Sequence, residues 1–117
     1  MSHSKGFMEI VKDAKTQIKQ INLEGLNAAL KAKEALLIVD IREESEWNAG
    51  SLPDAIYLGK GIIERDIEKT IPNKSEKLVL FCGGGSRSAL AAESIQKMGY
   101  TNVYSLEGGY RGWKNAE

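Results

Sequence analysis

The sequence predicts an α/β protein in which helices flank a mainly parallel sheet on both faces. Segments rich in aliphatic residues alternate along the 117-residue chain with segments whose apolar residues recur at helical spacing. Two predicted strands, residues 36–41 and 78–81, are apolar at nearly every position. Such runs are typical of strands in a parallel sheet that is covered on both faces. A chain of this length builds a single core.

The first half of the chain is predicted to hold two helices, an edge strand, a central strand and a short helix. Apolar residues from Phe7 to Ile18 recur at helical spacing, and Asn22 is a favourable N-cap residue for a second helix. The predicted elements are a helix over 7–16, an edge strand over 17–21, a helix over 23–33, a strand over 36–41 and a short helix over 43–48.

Turn residues divide the second half into further strands and helices. Pro53 closes a turn over residues 50–54, and Gly99 is suited to end a helix. The predicted elements are a strand over 55–58, a helix containing Ile62, Ile63 and Ile67 before Pro72, a strand over 77–81, a helix over 87–98, a strand over 103–106 and a C-terminal helical turn with Trp113.

The charge balance and the N-terminus exclude several classes of protein. Lys plus Arg equals Asp plus Glu at 16 each, so the sequence predicts no basic face for nucleic acid and no polybasic membrane patch. The first ten residues lack the apolar core of a signal peptide, and no run approaches the roughly 20 apolar residues of a membrane span. We therefore expect a cytoplasmic protein, and a single cysteine agrees with a reducing compartment.

The chain contains one histidine, His3, in a segment that reads as a mobile leader. A Cys–His catalytic pair is therefore not expected. Zinc sites require several Cys and His ligands, and this chain has one of each, far apart in sequence. We expect neither a metal nor another cofactor.

The single cysteine, Cys82, is the strongest candidate for chemistry. It follows the apolar run 78–81 and precedes three consecutive glycines and a helix-like segment. A lone cysteine is most often a small buried residue, but that role gains nothing from three flexible glycines. Their N–H groups can turn inward around the sulfur, and the helix start adds partial positive charge. These surroundings favour the thiolate and lower the pKa from the free value of about 8.5.

Four segments of the chain resemble the single-domain rhodanese family, in the family's order and over about residues 18–115. They are Asp40-Ile41-Arg42 within 38–43, Gly50-Ser51-Leu52-Pro53 within 46–55, Cys82-Gly83-Gly84-Gly85-Ser86-Arg87-Ser88 within 82–89, and Leu106-Glu107-Gly108-Gly109 within 103–109 with Trp113. The resemblance implies a five-stranded, mostly parallel rhodanese fold and sulfurtransferase activity. It divides the chain into an N-terminal helical extension, 1–16, and a rhodanese domain, 17–117.

The resemblance also implies the roles of the loop. Cys82 is then the nucleophile that carries a persulfide, and the residues that follow it form the substrate-binding cradle. These residues are Gly83, Gly84, Gly85, Ser86 and Arg87. Two alternatives stay open for Arg87, because its guanidinium can attract an anionic donor or pair with a local carboxylate.

Three other motif residues are given structural roles. Asp40 and Arg42 match the family's strand-end Asp-x-Arg and are interpreted as a brace near the pocket. Ser51 stands where the family commonly has histidine, which predicts altered local hydrogen bonding rather than lost activity.

The loop that follows Cys82 differs from the loop of the family's 3-mercaptopyruvate branch. Thiosulfate or a protein persulfide is therefore the favoured sulfur donor.

Two hypotheses for function come from different classes. The first is an enzyme that moves a sulfane sulfur from thiosulfate or another persulfide donor to cyanide, a thiol or a protein acceptor. The second is a sulfur-carrier or interaction module with little turnover of its own. A nucleotide-binding P-loop is set aside because the loop lacks a Gly-Lys-Ser/Thr ending. A cysteine phosphatase is disfavoured because its Cys-to-Arg loop is one residue longer than the four residues between Cys82 and Arg87.

Overall fold

The computed structural model describes residues 3–117 and contains five strands and six helices within them. The elements are α1 (Lys5–Gln17), β1 (Lys19–Ile21), α2 (Leu23–Lys31), β2 (Leu37–Asp40), α3 (Glu44–Ala49), β3 (Ile56–Tyr57), α4 (Ile63–Thr70), β4 (Leu78–Phe81), α5 (Ser86–Lys97), β5 (Val103–Leu106) and α6 (Gly109–Asn115). The strands form one sheet in the order β1-β5-β4-β2-β3, and every neighbouring pair is parallel. The predicted α/β class with a five-stranded parallel sheet is confirmed.

The central strand β4 is buried along its whole length and separates two apolar clusters. Leu78 and Leu80 pack with residues of α4 and α5 on one face of the sheet. Val79 and Phe81 pack with residues of α2 and α6 on the other face. Alternate side chains of a strand point to opposite faces, so an apolar residue at each position serves both clusters. The predicted cover of helices on both faces is therefore confirmed.

The ends of several elements differ from the sequence prediction by one or two residues. The second helix ends at Lys31 rather than at residue 33, because Lys33 adopts a positive φ of 58°. Strand β3 is limited to Ile56 and Tyr57, which pair with Val39 and Asp40 of β2. Such short edges carry little sequence signal of their own.

Helix α1 packs against α5, with Val11 and Ala14 buried. The side-chain amide of Gln96 in α5 also donates a hydrogen bond of 2.9 Å to the carbonyl of Gln17, the last residue of α1. The division into an extension, 1–16, and a domain, 17–117, stays a prediction, and residues 1 and 2 of that extension lie outside the described residues. Among the helices of residues 3–117, none has both the length and the apolar character to cross a membrane.

The carboxyl ends of the parallel strands meet at one edge of the sheet. Cys82 follows β4 directly, while Asp40 ends the neighbouring strand β2 and Leu106 ends the neighbouring strand β5. Ligands of open parallel sheets bind at this edge. The fold therefore brings three of the sequence motifs to the place where a site is expected.

Candidate active site

The loop from Cys82 to Gly85 joins β4 to α5 and turns sharply at its last residue. Gly85 is the N-cap of α5 and has a φ of 107°, in the region that favours glycine. A Cβ at this position would lie 3.4 Å from the carbonyl oxygen of Leu106, so the turn also packs closely against the end of β5. Glycine at position 85 thus lets the chain fold back around the sulfur.

The sulfur of Cys82 lies inside this turn and accepts hydrogen bonds from the backbone. The N–H of Gly85 is 3.1 Å and the N–H of Ser88 is 3.4 Å from Sγ. The hydroxyl of Ser88 lies 3.5 Å from Sγ and 2.7 Å from the hydroxyl of Ser105 in β5. Cys82 is only 1% exposed, and both serines are fully buried. The backbone thus turns N–H groups of Gly85 and Ser88 toward the sulfur, and the role of residues 83–87 in binding the substrate stays a prediction.

These contacts decide the ionisation of Cys82. Burial raises the pKa of the thiol, but the hydroxyl of Ser88 and the backbone N–H groups of Ser88, Gly85 and Gly84 lower it by more. The net result is a lowered pKa, which favours the thiolate. Activation of this thiol comes from backbone and hydroxyl dipoles, with no imidazole among its hydrogen-bond partners.

Replacing Ser88 by alanine is expected to raise the pKa of Cys82, because the largest favourable contact to the sulfur is removed. Titration of the thiolate by its ultraviolet absorbance measures this change. Ser94→Ala is the matched control, since Ser94 lies on the same helix and bonds to Glu64 instead. An unchanged or lower pKa in the Ser88 variant would show that the hydroxyl does not stabilise the thiolate.

Backbone hydrogen bonds from the first residues of α6 hold the active-site loop in place. The N–H of Tyr110 donates to the carbonyl of Cys82 at 2.7 Å, and the N–H of Arg111 donates to the carbonyl of Gly83 at 3.0 Å. Gly109 has a φ of 54°, and a Cβ there would come within 2.8 Å of the backbone of Gly83. Gly109 of the last motif is therefore required for the close approach of α6 to the loop.

Arg87 forms an ion pair with Glu46 of α3. Its two terminal nitrogens lie 2.8 and 3.2 Å from the carboxylate oxygens of Glu46. The hydrogen bond from Arg87 lowers the pKa of Glu46 to about 2, against a smaller opposing effect of burial. Glu46 also accepts a bond from the N–H of Glu43, which closes the capping box of α3. Of the two alternatives for Arg87, the structure shows the carboxylate pair, and a role in binding the donor stays a prediction.

The predicted brace between Asp40 and Arg42 is present beneath the site. The Arg42 guanidinium donates to both carboxylate oxygens of Asp40 at 2.9 and 2.7 Å, and it also donates to the carbonyl of Gly50 at 2.6 Å. Ser51 donates its hydroxyl to Asp40 at 2.9 Å. Ser51, which stands where the family commonly has histidine, therefore adds a local hydrogen bond to the brace formed by Asp40 and Arg42.

Several residues of the site were not found by sequence analysis. Ser88 directly follows the predicted binding residues 83–87, and Ser105 is a polar residue at a core-facing position of β5, so the sequence indicates both only weakly. Glu46 reaches Arg87 across 41 residues of sequence, and Arg111 lies over the loop from α6, so neither could be placed without the fold. Within residues 3–117 there is no group of three or more side chains arranged to ligate a metal.

Comparison with known proteins assigns the chain to a family. Residues 22–116 match the rhodanese-like domain family, and the chain belongs to that family. A sulfurtransferase from Allochromatium vinosum is 34% identical over 96 residues, which cover 82% of this chain and 88% of that protein. The putative sulfur carrier protein YrkF from Bacillus subtilis is 28% identical over 98 residues, which cover 84% of this chain and 52% of that protein. The chain thus spans about half the length of this second relative.

A solved structure from Rhodopseudomonas palustris resembles the whole chain. That protein is described as of unknown function and as a possible tyrosine phosphatase. It is 30% identical, has a TM-score of 0.85, and is matched over 99% of this chain and 94% of its own. The resemblance to the rhodanese family predicted from four motifs is confirmed, and the relatives support sulfur transfer as the general activity.

Proposed function

We propose that the protein is a rhodanese-type sulfurtransferase that carries sulfur as a persulfide on Cys82. The donor is thiosulfate or another persulfide, and the acceptor is cyanide, a thiol or a protein. The observation that carries this proposal is the sulfur of Cys82 inside a ring of N–H and hydroxyl donors, with a lowered pKa. A thiolate held in this way is an activated nucleophile.

The proposed reaction has two displacement steps. The Cys82 thiolate attacks the sulfane sulfur of thiosulfate, a new S–S bond forms, and sulfite leaves with the electron pair of the broken S–S bond. Cyanide then attacks the outer sulfur, thiocyanate leaves, and the electron pair of the Cys82 S–S bond returns to Sγ as the thiolate. The N–H groups of residues 83–87 would stabilise the negative charge of the persulfide, as an oxyanion hole does for oxygen. Proton transfer is not required at either step.

Mass spectrometry of the intact protein tests the persulfide directly. Incubation with thiosulfate should add one sulfur atom, about 32 Da, because covalent catalysis forms a sulfur adduct on the nucleophile. The added mass should persist without an acceptor, since no second cysteine exists to resolve it, and should disappear when cyanide or a reducing thiol is supplied. An unmodified wild-type mass with saturating thiosulfate would contradict thiosulfate as the donor.

A sulfur-carrier function is the second candidate, and the name of the relative from Bacillus subtilis favours it. A carrier would accept sulfur from a protein persulfide and turn over slowly with free thiosulfate and cyanide. The two candidates are separated by comparing steady-state turnover of the purified protein with its loading from a cysteine persulfide. Loading without turnover would support the carrier.

Phosphatase activity is not expected, although the resemblance to the Rhodopseudomonas palustris protein makes it worth testing. Four residues separate Cys82 from Arg87, and a ring of this size places its N–H donors too close for three phosphoryl oxygens. We expect negligible hydrolysis of aryl phosphates by the wild type. Any gain should need one residue inserted between Gly85 and Arg87. Efficient wild-type hydrolysis that is lost in Cys82→Ser would overturn the sulfurtransferase assignment.

The partners and location follow from the same proposal. A small sulfur donor, a thiophilic acceptor and a protein sulfur partner suit a charge-balanced chain better than nucleic acid or a membrane. A cytoplasmic location would keep the single thiol reduced between cycles. Fractionation of cells that contain the tagged full chain tests this location.

A further inference from the structure

The side chain of Arg111 lies over the active-site loop. It lies on α6, and its exposed side chain extends over Gly83 and Gly84. A Cβ on Gly83 would lie 2.7 Å from a terminal nitrogen of Arg111, and a Cβ on Gly84 would overlap the same guanidinium. The two glycines therefore provide the space in which the guanidinium rests.

The charge of Arg111 is not neutralised by a neighbour in residues 3–117. None of the ion pairs within 4.0 Å there includes Arg111. Arg87 also approaches Gly83, with a terminal nitrogen 3.2 Å from the position of a Cβ there, but its charge is balanced by Glu46. Two guanidinium groups thus flank Gly83, and of these two Arg87 has a carboxylate partner whereas Arg111 has none within residues 3–117.

The N–H donors of the loop serve the sulfur of Cys82 rather than the outer part of a donor. Three of its residues are glycines, and the N–H of Gly85 is directed at Sγ, as is that of Ser88 at the start of α5. Gly84 is exposed whereas Gly83 and Gly85 are buried, so the loop meets solvent on the side where Arg111 lies. A donor that reaches Cys82 from this side would bring the part beyond its sulfane sulfur to the Arg111 guanidinium.

We propose that Arg111 binds the sulfonate oxygens of the sulfur donor and makes the protein selective for donors of the thiosulfate class. This inference rests on the proposed function. A guanidinium presents a planar fork of N–H donors that matches two oxygens of one anionic group. In this position it would also hold the negative charge that develops on the departing sulfite.

The main test compares two donors in steady-state assays with cyanide as acceptor. For Arg111→Gln we expect kcat/KM with thiosulfate to fall about 10- to 100-fold, mostly through KM, since a charge-assisted contact is lost. Loading from cysteine persulfide, which has no sulfonate, should change less than about twofold. Arg111→Lys should recover part of the loss, because it keeps the charge without the fork. Lys114→Gln, on the same helix and paired with Glu117, is the charge-matched control that should leave both donors unaffected.

A binding measurement separates this inference from the proposed function. Thiosulfate is titrated calorimetrically into Cys82→Ser and into Cys82→Ser/Arg111→Gln, where no sulfur transfer takes place. Loss of binding only in the second variant supports the role of Arg111, even if the wild type proved to lack thiosulfate turnover. Equal binding by the two variants, or an equal loss of rate with both donors in the main test, would overturn the inference.

Discussion

Cys82→Ser is expected to reduce sulfur transfer from thiosulfate to cyanide to the uncatalysed rate. The thiolate is the only nucleophile that the loop surrounds, and a hydroxyl cannot form the persulfide through which sulfur is proposed to pass. Formation of thiocyanate by equal amounts of wild-type and variant protein measures the effect. No other group of the site offers a substitute, since the nearby hydroxyl of Ser88 is bonded to Ser105 within the core.

The same substitution should leave the fold intact, which makes the loss of activity interpretable. Serine is close to cysteine in size, and its oxygen can accept the hydrogen bonds that Gly85 and Ser88 donate to Sγ. Urea unfolding of the two proteins should therefore give similar midpoints. Sulfur transfer retained by a folded Cys82→Ser protein would place the reaction at another residue and contradict the proposed mechanism.

The turn of glycines around Cys82 could be predicted from sequence because its geometry is local. Cys82 and Gly85 are close in sequence, and a strand end followed by glycines and a helix start already defines how the N–H groups of the loop can turn. The contacts made by Glu46 and Arg111 depend on how α3 and α6 pack around the loop. Such contacts are tertiary, so no pattern within the loop could have identified them.

The sequence predicts the buried strands at the centre of the sheet well, because burial determines their pattern of apolar residues. It predicts the limits of the strand at the edge of the sheet less well. Strand β4 reads as apolar at each position because helices cover both of its faces. Strand β3 has two paired residues at the edge of the sheet, where pairing with β2 rather than intrinsic preference sets its limits. The sequence shows that Ser51 departs from the family pattern, but its hydrogen-bond partner Asp40 is evident only from the structure.

The brace formed by Asp40 and Arg42 connects the sheet to α6, the helix whose backbone N–H groups bond to the active-site loop. The guanidinium of Arg42 is 4.2 Å from the centre of the Tyr110 ring and 5.5 Å from that of Phe81. Tyr110 in turn donates its backbone N–H to the carbonyl of Cys82. Arg42 thus stabilises the position of α6 through the face of an aromatic ring, as cation–π contacts do. The loop depends on a charged group that never contacts the sulfur.

Arg42→Met is therefore expected to lower the free energy of unfolding by about 3–5 kcal/mol, the usual cost of breaking a buried ion pair on one side. Asp40 is fully buried and Arg42 is 5% exposed, so the substitution leaves the carboxylate of Asp40 with only Ser51 and a backbone N–H as partners. Equilibrium unfolding in urea measures the change. Arg65→Met, which removes an exposed partner of Asp66, is the control that should leave stability nearly unchanged.

A double substitution shows whether the loss of stability in Arg42→Met comes from the unpaired carboxylate of Asp40. Asp40→Asn combined with Arg42→Met removes that charge, while the asparagine oxygen can still accept the hydroxyl of Ser51. The double variant should be more stable than Arg42→Met alone, because a neutral buried amide costs less than an unpaired carboxylate. If the double variant were equally unstable, the contribution of Arg42 would lie in its contacts with Tyr110, Phe81 and the carbonyl of Gly50 rather than in the ion pair.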